Sequence, residues 1–196
     1  EGLANSEVKC AFQDSSGLMW VGTTFGLSRF DGQKFTNFFH DRKDQNSIGQ
    51  DQVVDIRQVR RGRLWIAFDN LFGELDPFTS RYRNHSLERL NPGNQPLRLN
   101  CMVVDASEHV WLGTSQGLAR YDPAGDSLTR VPGLDWSDGP SSVLSLAIDR
   151  AGRIWAGTQG HGLWMLPSGT GALQQVADAG STGAINGICL SADDTG

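Results

Sequence analysis

Four tryptophans set the frame for any fold of this chain. Trp20, Trp65, Trp111 and Trp155 follow one another at spacings of 45, 46 and 44 residues. Each sits inside a related string. Residues 14–31 read DSSGLMWVGTTFGLSRFD, residues 105–122 read DASEHVWLGTSQGLARYD, and residues 149–166 read DRAGRIWAGTQGHGLWML. A worn copy, VRRGRLWIAFDNLFGELD, occupies residues 59–76. A period of this length marks a repeat architecture. The terminal LSADDTG places Asp193 and Gly196 where Asp14 and Gly17 stand in the first copy. The sequence therefore reads as a piece of a longer protein, with a further tryptophan due just past its end.

One period resolves into four short β-prone runs. They are VKCAFQD (8–14), LMWVGT (18–23), LSRFD (27–31) and KFTNFF (34–39), parted by the turn signals SSG, TFG and GQ. Short runs joined by glycine-containing turns are the grammar of an antiparallel meander. No segment shows sustained helical periodicity. Four strands per period of this length is the signature of a β-propeller blade. The expected fold is all-β: propeller blades of four-stranded antiparallel sheets, about four and a half repeats of a larger propeller. Residues 1–196 form a partial propeller on this reading, with blades at 3–47, 48–96, 97–140 and 141–183 and a fifth starting at 184–196.

The recurring residues have scaffold roles. Trp20, Trp65, Trp111 and Trp155 are expected to fill the gaps between neighbouring sheets. Asp14, Asp105 and Asp149, six residues before a tryptophan, precede a turn and should cap its backbone N–H groups. Asp193 repeats the pattern. Gly17, Gly62 and Gly152 share one turn slot suited to positive φ. Glu108 stands there in the third repeat, which points to a different turn. Gly22, Gly113 and Gly157 follow the tryptophan by two, where a strand glycine signals close approach by neighbouring backbone. The second repeat has Ala67 and Phe68 instead of Gly-Thr. A longer turn and the most irregular blade are expected there. Cys10, Cys101 and Cys189 each stand ten residues before a tryptophan position, real or due, with Asp55 and Ser145 in that place elsewhere. No Cys-x-x-Cys spacing is present, and three free thiols are expected.

The wider composition narrows the function classes. The formal net charge of -5 gives no basic face for nucleic acid. No apolar run reaches a membrane span of roughly 18 residues, so the membrane enters only through other parts of a parent protein. No G-x-S-x-G elbow, H-E-x-x-H motif or phosphate-cradling loop occurs. No cofactor and no metal are expected. HDRKDQNS (40–47), which carries Asp41, Asp44 and Asn46, lacks the spacing of an EF-hand loop.

The motif W-x-G-T with a following G-L, repeated in register, resembles the two-component regulator propeller repeat. It is carried by VKCAFQDSSGLMWVGTTFGLSRFDGQKF, LNCMVVDASEHVWLGTSQGLARYDPAGDSL and VLSLAIDRAGRIWAGTQGHGLWMLPSGTGAL. FFHDRKDQNSIGQDQVVDI resembles the family's polar link between blades. The second copy departs from the pattern at WIAFDNLFGEL. The resemblance implies the extracytoplasmic, periplasmic-side sensor region of a bacterial inner-membrane receptor. The output would be a histidine kinase or a diguanylate cyclase outside this chain, and the ligand carbohydrate-derived.

Ligand contacts are sought where the repeat is broken. Asp55 replaces the small residue of the other copies, and Arg57 shares its strand face. RQVRRGR (57–63) concentrates arginines. His161 lies in the only lengthened G-T…G-L turn, beside Trp164, and Trp136 is off-register on a linking stretch. Exposed tryptophan suits sugar stacking. Three functions stay open: a non-catalytic ligand-sensing module, a propeller-type lyase or hydrolase, and a protein-interaction scaffold. Partners expected are a small molecule or oligosaccharide and a second copy of the chain, since unpaired blade faces favour self-association.

Overall fold

A computed structural model describes residues 2–59, 62–90, 97–134, 141–168, 171–176 and 184–188. The described residues are all-β apart from one 3-10 turn at Leu87–Leu90. Sixteen strands form four antiparallel sheets of four. The first sheet holds β1 (Val8–Gln13), β2 (Met19–Thr23), β3 (Leu27–Phe30) and β4 (Phe35–Phe38), in sequence order. The second holds β5 (Val53–Gln58), β6 (Leu64–Phe68), β7 (Leu71–Asp76) and β8 (Arg81–Ser86). The third holds β9 (Leu99–Val104), β10 (Val110–Thr114), β11 (Gly117–Asp122) and β12 (Ser127–Arg130). The fourth holds β13 (Val143–Ile148), β14 (Ile154–Thr158), β15 (Leu163–Leu166) and β16 (Gln174–Gln175). Two compact units, Glu1–Val104 and Asp105–Gly196, divide the chain. No helix among the described residues is long and apolar enough to cross a membrane.

The tryptophans and aspartates are bonded to each other. Trp20 Nε1 donates to Asp14 Oδ2 at 2.8 Å, and Trp111 and Trp155 donate to Asp105 and Asp149 at 2.9 Å. The other carboxylate oxygen accepts backbone N–H groups of the turn, as expected: Ser16 and Leu18, Ser107 and His109, Ala151 and Arg153. One carboxylate thus closes the β1–β2 type of turn and fixes the indole. Burial works against ionisation of Asp14. The Ser16 hydroxyl, the Trp20 indole and the Leu18 and Ser16 N–H groups prevail and hold its carboxyl below the ordinary range. Threonine closes the next turn: Thr23, Thr114 and Thr158 hydroxyls donate to the carbonyls of Gly26, Gly117 and Gly162 at 2.8, 2.8 and 2.7 Å.

Two turn expectations are corrected. Glu108 adopts φ 67°, in the same left-handed region as Gly17, Gly62 and Gly152. Its N–H donates to the Asp105 carbonyl at 3.0 Å, the bond Gly17 makes to Asp14. The Asp105 cap holds the turn, so a non-glycine residue bears the strain rather than changing the geometry. The second repeat has no longer turn. Trp65 pairs with Glu74 as Trp20 pairs with Arg29, nine residues on in both cases, and β7 begins earlier, at Leu71. Phe68 takes the place that threonine holds at the end of the equivalent strands, and it is fully buried.

In the first unit the core lies between the first two sheets. Trp20 and Leu27 meet Val53, Ile56, Leu64, Ile66, Phe68, Leu75 and Tyr82, with Cys10, Phe12 and Phe38 at the margin. Gly22 shows why the motif has no side chain there. A Cβ would lie 2.5 Å from Val53 Cγ1 and 2.6 Å from Cys10 Sγ. Gly22→Ala should therefore cost about 1–3 kcal/mol by overpacking, read as a lowered urea midpoint. An unchanged midpoint would show that the two sheets are not in close contact at this point. In the second unit β10 lies against β13, with Leu112, Leu118, Val143 and Ile154 buried.

Candidate functional site

The first-strand position that carries Cys10, Asp55 and Ser145 is built the same way in the first, second and fourth sheets. Cys10 pairs with Gly22, Asp55 with Ala67 and Ser145 with Gly157, each beside a register shift that follows the first valine of the strand. Cys10 and Cys101 are free thiols; Cys189 lies outside the described residues. Burial pushes the Cys10 thiol up to about 12, and the Asp55 carboxylate adds to the effect. Cys10 is thus a packed thiol rather than a nucleophile. At pH 8 alkylation should modify it only after unfolding, as peptide mapping would show; native labelling would contradict its burial.

Asp55 and Arg57 come together on β5. Asp55 is 7% exposed. Its Oδ2 accepts the Met102 N–H at 2.9 Å and its Oδ1 the Ile56 N–H at 2.8 Å. Arg57 Nη1 pairs with Oδ1 at 2.9 Å, and Nε donates to the Met102 carbonyl at 2.9 Å. The pair therefore ties β5 to β9 through both backbone groups of Met102. Burial raises the Asp55 pKa and outweighs the opposing pull of Arg57 and the two N–H donors. The Arg57 side chain is 36% exposed. Its Nη2 has no partner among the described residues, so one charged donor remains for a ligand.

His161 and Trp164 share one turn. Trp164 Nε1 donates to the His161 carbonyl at 2.9 Å, and Gln175 Nε2 reaches the same oxygen at 3.1 Å. His161 is exposed and Trp164 half-buried. Cross-strand pairs explain the tryptophan. Val21–Ser28, Ile66–Gly73 and Leu112–Ala119 each set a large residue opposite a small one, and Ala156–Trp164 inverts the order. The sequence carried that signal in Ala156, beside Trp155, but a single-position reading passes over it. Trp136 lies outside the described residues. Asp55 and Arg57 belong to the first compact unit, His161 and Trp164 to the second.

Sequence reasoning also missed a histidine. His109 Nδ1 lies 3.0 Å from Asp105 Oδ2 and Nε2 lies 2.7 Å from Arg120 Nη2. Arginine can only donate, so Nε2 is the acceptor and Nδ1 carries the proton. Arg120 also lies over the Trp111 ring at 5.7 Å, as Arg29 lies over Trp20 at 5.8 Å. The arrangement locks a turn. Among the described residues no group of three or more His, Cys, Asp or Glu could hold a metal.

The fold and the repeats have counterparts among known proteins. The family model described as two component regulator propeller matches residues 2–25 and 137–160. No curated protein matches the chain in sequence. The extracellular domain of BT4673 from B. thetaiotaomicron, named as a one component system in one crystal structure, superposes at TM-score 0.79 with 21% identity. The match covers 98% of this chain and 26% of that one, so the chain spans about a quarter of its length. Virginiamycin B lyase from Staphylococcus aureus is similar at TM-score 0.69 and 12% identity, over 90% of this chain and 58% of the lyase. PorZ of Porphyromonas gingivalis, a component of the type-IX secretion system, is similar at 0.66 and 18%, over 95% and 30%. With four antiparallel four-stranded sheets and the repeat motif in register, the chain is a β-propeller segment, two stretches of which match the two component regulator propeller model.

Proposed function

We propose that the chain is a ligand-sensing, non-catalytic propeller segment from the extracytoplasmic region of a bacterial two-component receptor. The observation that carries the reading is the match of its repeats to the two component regulator propeller model. The fold likeness to an extracellular receptor domain supports it. So does the use of the recurring polar groups: the aspartates bond indoles and turns, and the threonines bond turn carbonyls. Such groups are spent on the scaffold and are not available for acid–base chemistry. The ligand class on this reading is a small molecule or oligosaccharide.

The test is incubation of the whole chain with a panel of oligosaccharides, following both its melting temperature and the integrity of each sugar. Binding that raises the melting temperature and leaves the sugar intact is expected. Cleavage or elimination would overturn the non-catalytic reading in favour of a lyase.

A further inference from the structure

The second sheet departs from the repeat at the strand opposite its tryptophan. In the first and third repeats that cross-strand residue is Arg29 or Arg120, lying over the indole. In the second it is Glu74. The cation has moved to Arg63, whose Nη1 pairs with Glu74 at 2.9 Å. The β7–β8 register then sets Glu74 opposite Arg83 and Asp76 opposite Arg81. Residues two apart on a strand share a face, so both couples stand on one side of the sheet.

These side chains, with Asn46, line a cleft of about 380 Å3. Three arginines against two carboxylates leave one net positive charge, on a chain whose formal charge is -5. Asp76 Oδ1 is occupied by the N–H groups of Phe78 and Thr79, which hold that carboxyl low and ionised. Arg81 and Arg83 are exposed and make no hydrogen bond or ion pair among the described residues, although a carboxylate-bearing residue sits directly across from each. Two uncommitted guanidinium forks match a carboxylate in two-point fashion. Glu74, Asp76 and Asn46 add polar groups that can meet hydroxyls.

We propose that this cleft binds an acidic sugar, a polyhydroxylated monoanion. Its carboxylate is held by Arg81 and Arg83 and its hydroxyls by Glu74, Asp76 and Asn46. The assignment rests on the sensor reading and supplies its ligand class. A cleft of this volume holds one or two sugar rings rather than a long chain.

The test is calorimetric titration of the whole chain, at low salt, with sodium D-glucuronate, D-glucose, sodium acetate and inorganic phosphate. Glucuronate should bind more tightly than the other three. The double substitution Arg81→Gln/Arg83→Gln should weaken glucuronate about 10-fold or more, through loss of charge-assisted bonds. Both side chains are exposed, so the unliganded melting temperature should not change. Glucuronate binding that is indifferent to the double substitution would overturn the location. Acetate or phosphate binding as tightly as glucuronate would overturn the sugar. Intact binding of a neutral oligosaccharide with no response to glucuronate would overturn this site and leave the sensor reading standing. Turnover of any sugar would instead overturn the sensor reading.

Discussion

Trp20→Ala should lower the unfolding free energy by about 3–5 kcal/mol, the usual cost of truncating a large aromatic in a core. The residue is fully buried, and its ring lies between two sheets rather than within one. Phe38 stacks on it at 5.8 Å and Arg29 covers it at 5.8 Å, so few atoms can collapse into the space left behind. The substitution also removes the indole donor from Asp14. Trp20→Phe separates the two effects, because it keeps a ring but loses the bond; about 1–3 kcal/mol is expected. Urea unfolding followed by circular dichroism would measure both, and an alanine loss under about 1 kcal/mol would contradict a packing role. The low Asp14 pKa adds a pH signature. Its stabilisation is fully present above the ordinary carboxylate range and is lost as pH falls through the folded value. Asp14→Asn should flatten that acid limb.

Asp55→Ala comes next, at about 3 kcal/mol. Removing one partner of a buried ion pair typically costs about 3–5 kcal/mol, and the low end applies because water already reaches Arg57, 36% exposed. The Met102 N–H is left without its acceptor, and the tie from β5 to β9 is cut. Asp55→Ala/Arg57→Ala should recover part of the loss, since no uncompensated charge remains. The pH dependence has the opposite sign to that of Asp14. Burial raises the Asp55 pKa, so the folded state holds a proton where the unfolded chain has released it. Stability therefore falls as pH rises from the ordinary carboxylate value through the raised one, and the alanine variant lacks that slope. A variant as stable as the parent, with the same pH profile, would show that the clamp does not hold the strands.

The fold was legible because it is written more than once. Period, strand length and turn glycines are local properties, and repetition separates them from accident. The aspartate–indole bond was half legible: turn chemistry predicted the N–H acceptors, whereas the indole N–H at six residues' distance becomes a neighbour only when β1 folds back on β2. Glu108 was misread because glycine preference is a statement about cost, and Asp105 offsets that cost. Trp164 breaks the repeat in the linear string; in three dimensions it exchanges volume with Ala156.

The sequence by itself determined the blade: which residues form strands and where they turn. Those choices depend on groups within a few residues of one another. Only the tertiary structure decided that Asp55 and Arg57 clamp Met102, that the Cys10 thiol is held protonated, and that Arg81 and Arg83 stand open beside Glu74 and Asp76. Each of these depends on desolvation and on distances between groups that approach only when strands and sheets come together, which a linear string does not encode locally.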